Sequence, residues 1–149
     1  MALLLLWLAF ATYEAPQIWA VDGVSLAYSR QQIDQALGPA VESRPLKVSY
    51  GGETWEYTWR NGLKGAFVDR DPGRHPRLLV GRRFTSRGRS MFAPGQNRAQ
   101  VQQGLGGPAN WETAAHLIYF DEGRQAYLSV YFVDDRSVEI VLSRFKLKD

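Results

Sequence analysis

The stretch PGQNRAQVQQGLGGPA, residues 94–109, decides the fold because it contains the start, the apolar stripe and the end of one short helix. An earlier stretch, SRQQIDQALGPA at residues 29–40, has nearly the same pattern. The second copy lies 68 positions after the first, with Val101 against Ile33. Self-similarity at a fixed spacing is typical of repeated structural units. The chain is therefore predicted to contain two copies of one unit.

Each copy predicts a helix with a capped start and a glycine at its end. Ser29 and Asn97 are N-cap residues, and a glutamine follows each of them three positions later, as in a capping box. Apolar residues spaced three and four apart give each helix one narrow buried stripe. Gly38 and Gly106 favour the left-handed conformation that ends a helix. Helices of about two turns are marginal alone, so each should pack on the strands that follow it.

The strongest strand pattern is TWEYTWR, residues 54–60, in which Trp55, Tyr57 and Trp59 alternate with more polar residues. The Asn61-Gly62 pair that follows is typical of a type I′ hairpin turn. The other predicted strands are residues 46–50, 63–69 and 77–84 in the first copy, and residues 112–120, 125–133 and 137–145 in the second. Each copy is thus a helix followed by an antiparallel meander, with four strand segments in the first copy and three in the second.

These elements predict an α+β fold made of two tandem helix-plus-meander repeats that share one sheet. The first repeat covers residues 21–87 and the second covers residues 88–149. Each repeat is too small to close a core alone, so the two are expected to join and share one. The helices should lie on one face of a continuous antiparallel sheet, and the opposite face should be open and concave.

The composition is that of a globular protein without cysteine. Charged residues make up 22% of the 149 residues, and the formal net charge is +3. The lack of cysteine excludes disulfides, thiolate metal sites and a lipid anchor attached through cysteine. Residues 1–20 contain an apolar run and then Pro16, a pattern typical of a signal peptide cut after Ala20 or after Ala11. This pattern predicts a periplasmic or secreted protein; the alternative is a buried first helix or strand.

Motifs of catalysis and of metal binding are absent from the sequence. The two histidines, His75 and His116, have no carboxylates that can be placed beside them as metal ligands. Neither a nucleophile elbow nor a phosphate loop is present. The acid pairs Asp121-Glu122 and Asp134-Asp135 fall in predicted turns, where carboxylates are solvated and lack the pocket that a general acid needs. We therefore expect no enzyme activity, no metal and no cofactor.

Aromatic and arginine residues on the predicted strands are the candidates for protein binding, because both types are enriched among binding hot spots. The candidates are Trp55, Tyr57, Trp59, Arg82, Arg83, Tyr127 and Tyr131. For the tryptophan and tyrosine side chains of residues 54–60 the alternative is packing, since a sheet face under a helix needs bulky residues. Seven arginines within residues 70–89 could instead hold an acidic protein or an anionic lipid surface, and nucleic acid is the less expected partner.

The helix ends and the last strands resemble the SmpA/OmlA domain, the BamE-like family. The matching residues are Pro94-Gly95, Val101, Leu105-Gly106-Gly107-Pro108, Phe132-Val133-Asp134, Val138 and Val141. Two tandem copies are similar to the arrangement of the beta-lactamase inhibitor protein-like fold. The chain departs from both in lacking the lipoprotein cysteine and the stapling cysteines.

This resemblance implies a non-enzymatic envelope protein that binds another protein, as an accessory to outer-membrane assembly or maintenance. An inhibitor or immunity-type protein that covers an enzyme with its concave sheet is the alternative. A second alternative is a binder of anionic lipid or nucleic acid that uses the arginines of residues 70–89.

Overall fold

A computed structural model of the protein describes residues 19–47, 52–86, 89–92 and 94–147. Most of the predicted leader and most of the predicted strand at residues 46–50 lie outside the described residues. The described helices are α1 (Arg30–Leu37) and α2 (Arg98–Gly104). The described strands are β1 (Trp19–Val21), β2 (Glu42–Leu46), β3 (Thr54–Thr58), β4 (Lys64–Val68), β5 (Leu78–Gly81), β6 (Phe84–Ser86), β7 (Arg89–Phe92), β8 (Trp111–Glu112), β9 (His116–Asp121), β10 (Ala126–Val133) and β11 (Arg136–Ser143).

Eight of these strands form one antiparallel sheet in the order β2-β3-β4-β5-β11-β10-β9-β8. The two halves of this sheet have the same strand order. Outward from the central β5–β11 pair, each half runs from its fourth strand in the chain to its first strand at the edge. The α+β class and the antiparallel sheet are therefore confirmed.

A small second sheet joins β1, β6 and β7. Trp19 pairs with Ser86 and Val21 pairs with Phe84, so β1 is antiparallel to β6. The Trp19 and Phe84 rings meet edge to face, with 5.9 Å between their centroids. Two residues of the predicted leader, Trp19 and Ala20, therefore belong to a strand. The predicted boundary at residues 87 and 88 falls between β6 and β7, which pair with each other.

Both helices begin as the sequence predicts. The Ser29 hydroxyl accepts a bond from the N–H of Gln32 at 3.2 Å, and Asn97 Oδ1 accepts one from the N–H of Gln100 at 2.9 Å. Each glutamine side chain accepts a bond in return from its cap residue, so both capping boxes are complete. These four bonds satisfy backbone donors that a helix start otherwise leaves without partners.

The helix ends also follow the sequence. Gly38 and Gly106 have φ angles of 86° and 87°. At the end of α2 the N–H groups of Gly106 and Gly107 donate to the carbonyls of Gln103 and Gln102, at 3.2 and 2.9 Å. This is the paired bonding of a Schellman motif, and it stops the helix at the predicted place.

One core lies between the helices and the sheet. Ile33 of α1 and Val101 of α2 are fully buried in the same cluster as Phe67 and Leu79 from the sheet. Trp59 joins this cluster, and its Nε1 donates to Asp34 Oδ1 of α1 at 2.8 Å. Burying large apolar side chains of this kind contributes roughly 1.5–3 kcal/mol each.

Two strand predictions are wrong at their limits, and the strand Glu42–Leu46 was not predicted. Its residues are mostly exposed at the edge of the sheet, so they show no apolar alternation. Pro45 is tolerated there, since an edge strand can lack one donor. Predicted residues 77–84 split into β5 and β6, because the N–H groups of Arg82 and Arg83 donate to the Asp22 carboxylate in place of a strand partner.

Predicted residues 112–120 also split, into β8 and β9. The Thr113 N–H donates to the His116 carbonyl at 2.9 Å, and the Thr113 hydroxyl accepts from the N–H groups of Ala115 and His116. This local turn interrupts the ladder. Each half contributes four strands to the sheet, and for the second half three were predicted.

We predict that Gly81→Ala destabilises the protein by about 2 kcal/mol, the usual cost of overpacking. A Cβ on Gly81 would come within 2.6 Å of Val21 Cγ2 and would also collide with the Asp22 carboxylate. The matched control is Gly123→Ala, whose Cβ has no neighbour closer than 3.5 Å. Urea unfolding of both variants measures the difference, and equal midpoints would contradict the close packing of β1 on β5.

Candidate functional site

The candidate site lies on the face of the eight-stranded sheet that is turned away from the buried core, here called the far face. Along β10, Leu128 and Val130 enter the core cluster, so Tyr127 and Tyr131 point to the far face. Tyr127 stands opposite Phe120 of β9. The far face is thus aromatic on its β8–β10 side.

Five rings on the far face form what we call the aromatic patch. Its members are Trp111, His116, Phe120, Tyr127 and Tyr131. The Phe120 and Tyr127 centroids are 4.6 Å apart, and Trp111 lies 6.1 Å from Tyr127. His116 stacks on Tyr131 at 5.0 Å. Trp111 is 40% exposed, His116 is buried, and Phe120, Tyr127 and Tyr131 are half-buried.

The surroundings of the aromatic patch hold its rings in place. Ile118, Ser129 and Val141 alternate onto the same face and are buried, which gives the patch a floor of small and aliphatic side chains. The Lys146 ammonium lies 4.4 Å from the Trp111 centroid, a cation–π contact at the rim. Rigid rings with a charged rim are typical of protein recognition surfaces.

Two of the predicted aromatic candidates are core residues. Tyr57 is 4% exposed and Trp59 is 1% exposed, and both rings pack on Phe67 with edge-to-face geometry. Trp55 is partly buried against the same core, and the guanidinium of Arg70 covers its ring at 4.4 Å. The packing alternative describes Tyr57 and Trp59, and these two side chains cannot anchor a partner at the surface.

The structure places Arg82 and Arg83 in the β5–β6 connection. Their side chains are exposed and border an open cleft of about 450 Å³ that Asp22, Asn61 and Pro94 also line. Tyr127 and Tyr131 belong to β10, so the candidate residues do not form one site.

The described arginines of residues 70–89 are spread over both ends of β5. Arg74 pairs with Asp69 at 3.0 Å at one end, and Arg82 and Arg83 follow β5 at the other. The N–H of Asp71, together with Arg74, holds the pKa of the Asp69 carboxyl below its usual range. This distribution does not gather the positive charges into one continuous surface.

Polar groups near the patch serve the fold. His116 is buried and its Nδ1 lies 2.8 Å from the Thr113 hydroxyl. Tyr119 donates to the Gly107 carbonyl at 2.9 Å from the core side of the sheet. Burial, with the charge of Glu112, raises the pKa of Tyr119. The described ranges contain no cluster of three or more histidine or carboxylate side chains that could hold a metal ion.

Comparisons with known proteins do not assign the chain to a family. No protein-family model matches it, and neither the curated proteins nor the solved structures contain a match. In the part of the chain that the structure describes, no helix has the length and apolar character needed to span a membrane.

Sequence reasoning missed Trp111 and Phe120. Phe120 could have been found by pairing the predicted strands 112–120 and 125–133 across their turn, which sets it opposite Tyr127. Trp111 lies on a strand of only two residues, and so short a strand gives no alternation.

We predict that alanine substitutions on the far face and in the core lower the free energy of unfolding by different amounts. Trp59→Ala should cost about 4 kcal/mol, because it empties a core position and removes one hydrogen bond to Asp34. Trp111→Ala should cost about 1 kcal/mol or less, as at other exposed positions. Urea unfolding measures both losses. A loss at Trp111 as large as that at Trp59 would show that the patch is structural.

Proposed function

We propose that the protein is a non-enzymatic binding module that holds another protein against the aromatic patch. The observation that carries this proposal is the row of Trp111, Phe120 and Tyr127, three neighbouring rings on a face where the described chain places no helix. Rings of this kind supply most of the energy of many interfaces, since they bury a large area at a small entropic cost.

We further propose that the chain consists of two tandem BamE-like units. In each half, the arginine that follows the helix cap covers an aromatic ring of the sheet, on the second strand of the first half and on the third strand of the second. The Arg30 guanidinium covers the Tyr57 ring at 4.7 Å, and that of Arg98 covers the Phe132 ring at 5.0 Å. The mirrored strand order, with the fourth strand of each half at the centre of the sheet, supports the same interpretation.

A further equivalence lies where β4 and β10 end. Asp69 and Asp134 follow these strands and have positive φ angles, 57° and 51°. In each half, the residues after this aspartate bond to the start of the helix. The Arg30 N–H donates to the Arg74 carbonyl at 2.9 Å, and the Arg98 N–H donates to Asp135 Oδ1 at 3.3 Å.

The proposed place of action is the cell envelope, with a protein of outer-membrane assembly or maintenance as the partner. The apolar run and the small residues within residues 1–20 support export. The BamE-like resemblance supports an accessory role. The 149 residues contain no cysteine that could carry a lipid, so the proposal does not include a lipid anchor.

An inhibitor or immunity-type protein is the second candidate. The far face favours it as well, because a broad sheet surface with aromatic anchors can cover the mouth of an enzyme active site. The two candidates differ in the partner: an inhibitor abolishes the activity of the enzyme it binds, whereas an assembly accessory does not.

Binding of anionic lipid or nucleic acid through residues 70–89 is the third candidate function. It requires affinity that falls steeply with added salt.

The first functional prediction concerns the face that meets the partner. A photo-cross-linking residue in place of Tyr127 should capture the partner in envelope preparations, whereas the same residue in place of Gln35, which is exposed on α1, should not. With the captured partner, Trp111→Ala should lower affinity by about 2 kcal/mol, roughly 30-fold. Capture from position 35 alone, or unchanged affinity of the Trp111 variant, would contradict the proposed surface.

The second functional prediction concerns the leader. Cleavage after Ala11 preserves β1, whereas cleavage after Ala20 removes Trp19 and its contact with Phe84. We therefore expect N-terminal sequencing of protein from the envelope fraction to show a chain that retains Trp19. A chain that begins at Val21 would contradict this choice of site, and recovery of the intact chain from the cytoplasm alone would contradict the envelope role.

A further inference from the structure

A second candidate binding site is the open cleft beside the β5–β6 connection, here called the arginine cleft. Its volume is about 450 Å³, and its lining residues are Asp22, Asn61, Arg82, Arg83 and Pro94. All of them except Asp22 are exposed, so a solute in the cleft can reach their side chains. None of them belongs to the aromatic patch, so the cleft and the patch are separate surfaces.

Two consecutive arginines border this cleft, which a regular strand does not allow, because its successive side chains point to opposite faces. After β5 the N–H groups of Arg82 and Arg83 donate to the Asp22 carboxylate at 3.3 and 3.0 Å. The Asp22 N–H donates in return to the Arg83 carbonyl at 2.9 Å. These bonds hold a bend at Arg82, and both arginine side chains border one cleft.

The side-chain acceptors of the arginine cleft are engaged by backbone N–H groups. Both oxygens of Asp22 accept from the β5–β6 connection, and Asn61 Oδ1 accepts from the Leu63 N–H at 3.1 Å. Within the described ranges the guanidiniums of Arg82 and Arg83 form neither an ion pair nor a hydrogen bond. The cleft therefore offers a ligand mainly donors, namely two guanidiniums and the Asn61 amide NH₂.

These donors and the charge of the lining favour an oxyanion. Two guanidiniums against one carboxylate leave an excess of positive charge, and guanidiniums bind phosphate and carboxylate oxygens through paired hydrogen bonds. A carboxylate is planar and offers two oxygens, whereas a phosphate monoester offers three in a tetrahedral arrangement. The donors come from two elements, the β3–β4 turn and the β5–β6 connection, and this arrangement suits the tetrahedral group better.

We propose that the arginine cleft binds a phosphate monoester group. The guanidiniums of Arg82 and Arg83 donate to two of its oxygens, and the Asn61 NH₂ donates to the third. The site uses two of the seven arginines of residues 70–89 and does not require the others. The phosphate can belong to a soluble monoester or to the headgroup of a lipid such as phosphatidic acid.

The test titrates the full chain with methyl phosphate and, separately, with acetate, at low ionic strength, followed by NMR. At about pH 7.5 methyl phosphate is mostly dianionic. We expect a dissociation constant of about 1 mM for methyl phosphate. Acetate should bind at least about tenfold more weakly, because it offers fewer oxygens and a single charge. Equal affinity for the two anions, or no binding of methyl phosphate at millimolar concentration, would overturn the proposal.

The decisive variants are Arg82→Gln and Arg83→Gln, since both positions are exposed and should tolerate the change. Each should weaken methyl phosphate binding about tenfold, because a hydrogen bond from a charged group is lost. Asn61→Asp keeps an oxygen for the Leu63 N–H but exchanges the NH₂ donor for a negative charge, so it should weaken binding at least as much. Undiminished affinity in either arginine variant would overturn the proposal.

The matched control is Arg74→Gln, which removes the same charge at an exposed arginine whose guanidinium pairs with Asp69. This variant should bind methyl phosphate like the wild type. A loss as large as that of Arg83→Gln would show that the anion responds only to net charge, and it would overturn the proposed site.

Vesicles of phosphatidylcholine with and without phosphatidic acid separate the two sources of the phosphate. Binding to the vesicles that contain phosphatidic acid, absent when Arg82 and Arg83 are both replaced by glutamine, supports a lipid headgroup. Binding of methyl phosphate without binding to these vesicles supports a soluble monoester.

Discussion

The pairing of β5 with β11 is the contact on which the rest of the structure depends. Leu79 faces Leu142 and Gly81 faces Ile140 across this pair, at the centre of the eight-stranded sheet. Without it each half would be a short helix on four strands, too small to bury its own apolar side. The pair lets Ile33 of α1 and Val101 of α2 share one core, so each short helix is stabilised by the whole sheet.

Local sequence was informative where the interacting residues lie close together in the chain, and it was not informative where they lie far apart. The capping boxes at Ser29 and Asn97 involve partners three residues away, so a local pattern contained them. The break between β5 and β6 depends on Asp22, about sixty residues earlier in the chain, and no local pattern could reveal it. The strand Glu42–Leu46 was missed for a different reason: an exposed strand has no buried side to impose alternation.

For the candidate site the same physics separates residues that look alike in sequence. Tyr57 and Tyr127 are both strand aromatics, but Tyr57 alternates onto the core side and Tyr127 onto the far face. Strand alternation alone says that two faces exist, and only the packing of the helices says which one is covered. Trp59 resolves this for β3, since its Nε1 reaches Asp34 of α1. This hydrogen bond is a tertiary contact, so the sequence of a single strand cannot reveal it.

The two halves share a framework but differ in what they present to a partner. The second half exposes Trp111 beside Tyr127, whereas in the first half the aromatic side chains of Tyr57 and Trp59 pack in the core. At the corresponding edge of the first half, the lining of the cleft between α1 and β2 is polar and charged and includes Asp34, Glu42 and Ser43. The β5–β11 pair and the common core hold the sheet together without either edge. The two edges therefore differ in chemistry although the framework between them is shared, with aromatic rings at one and a polar, charged lining at the other.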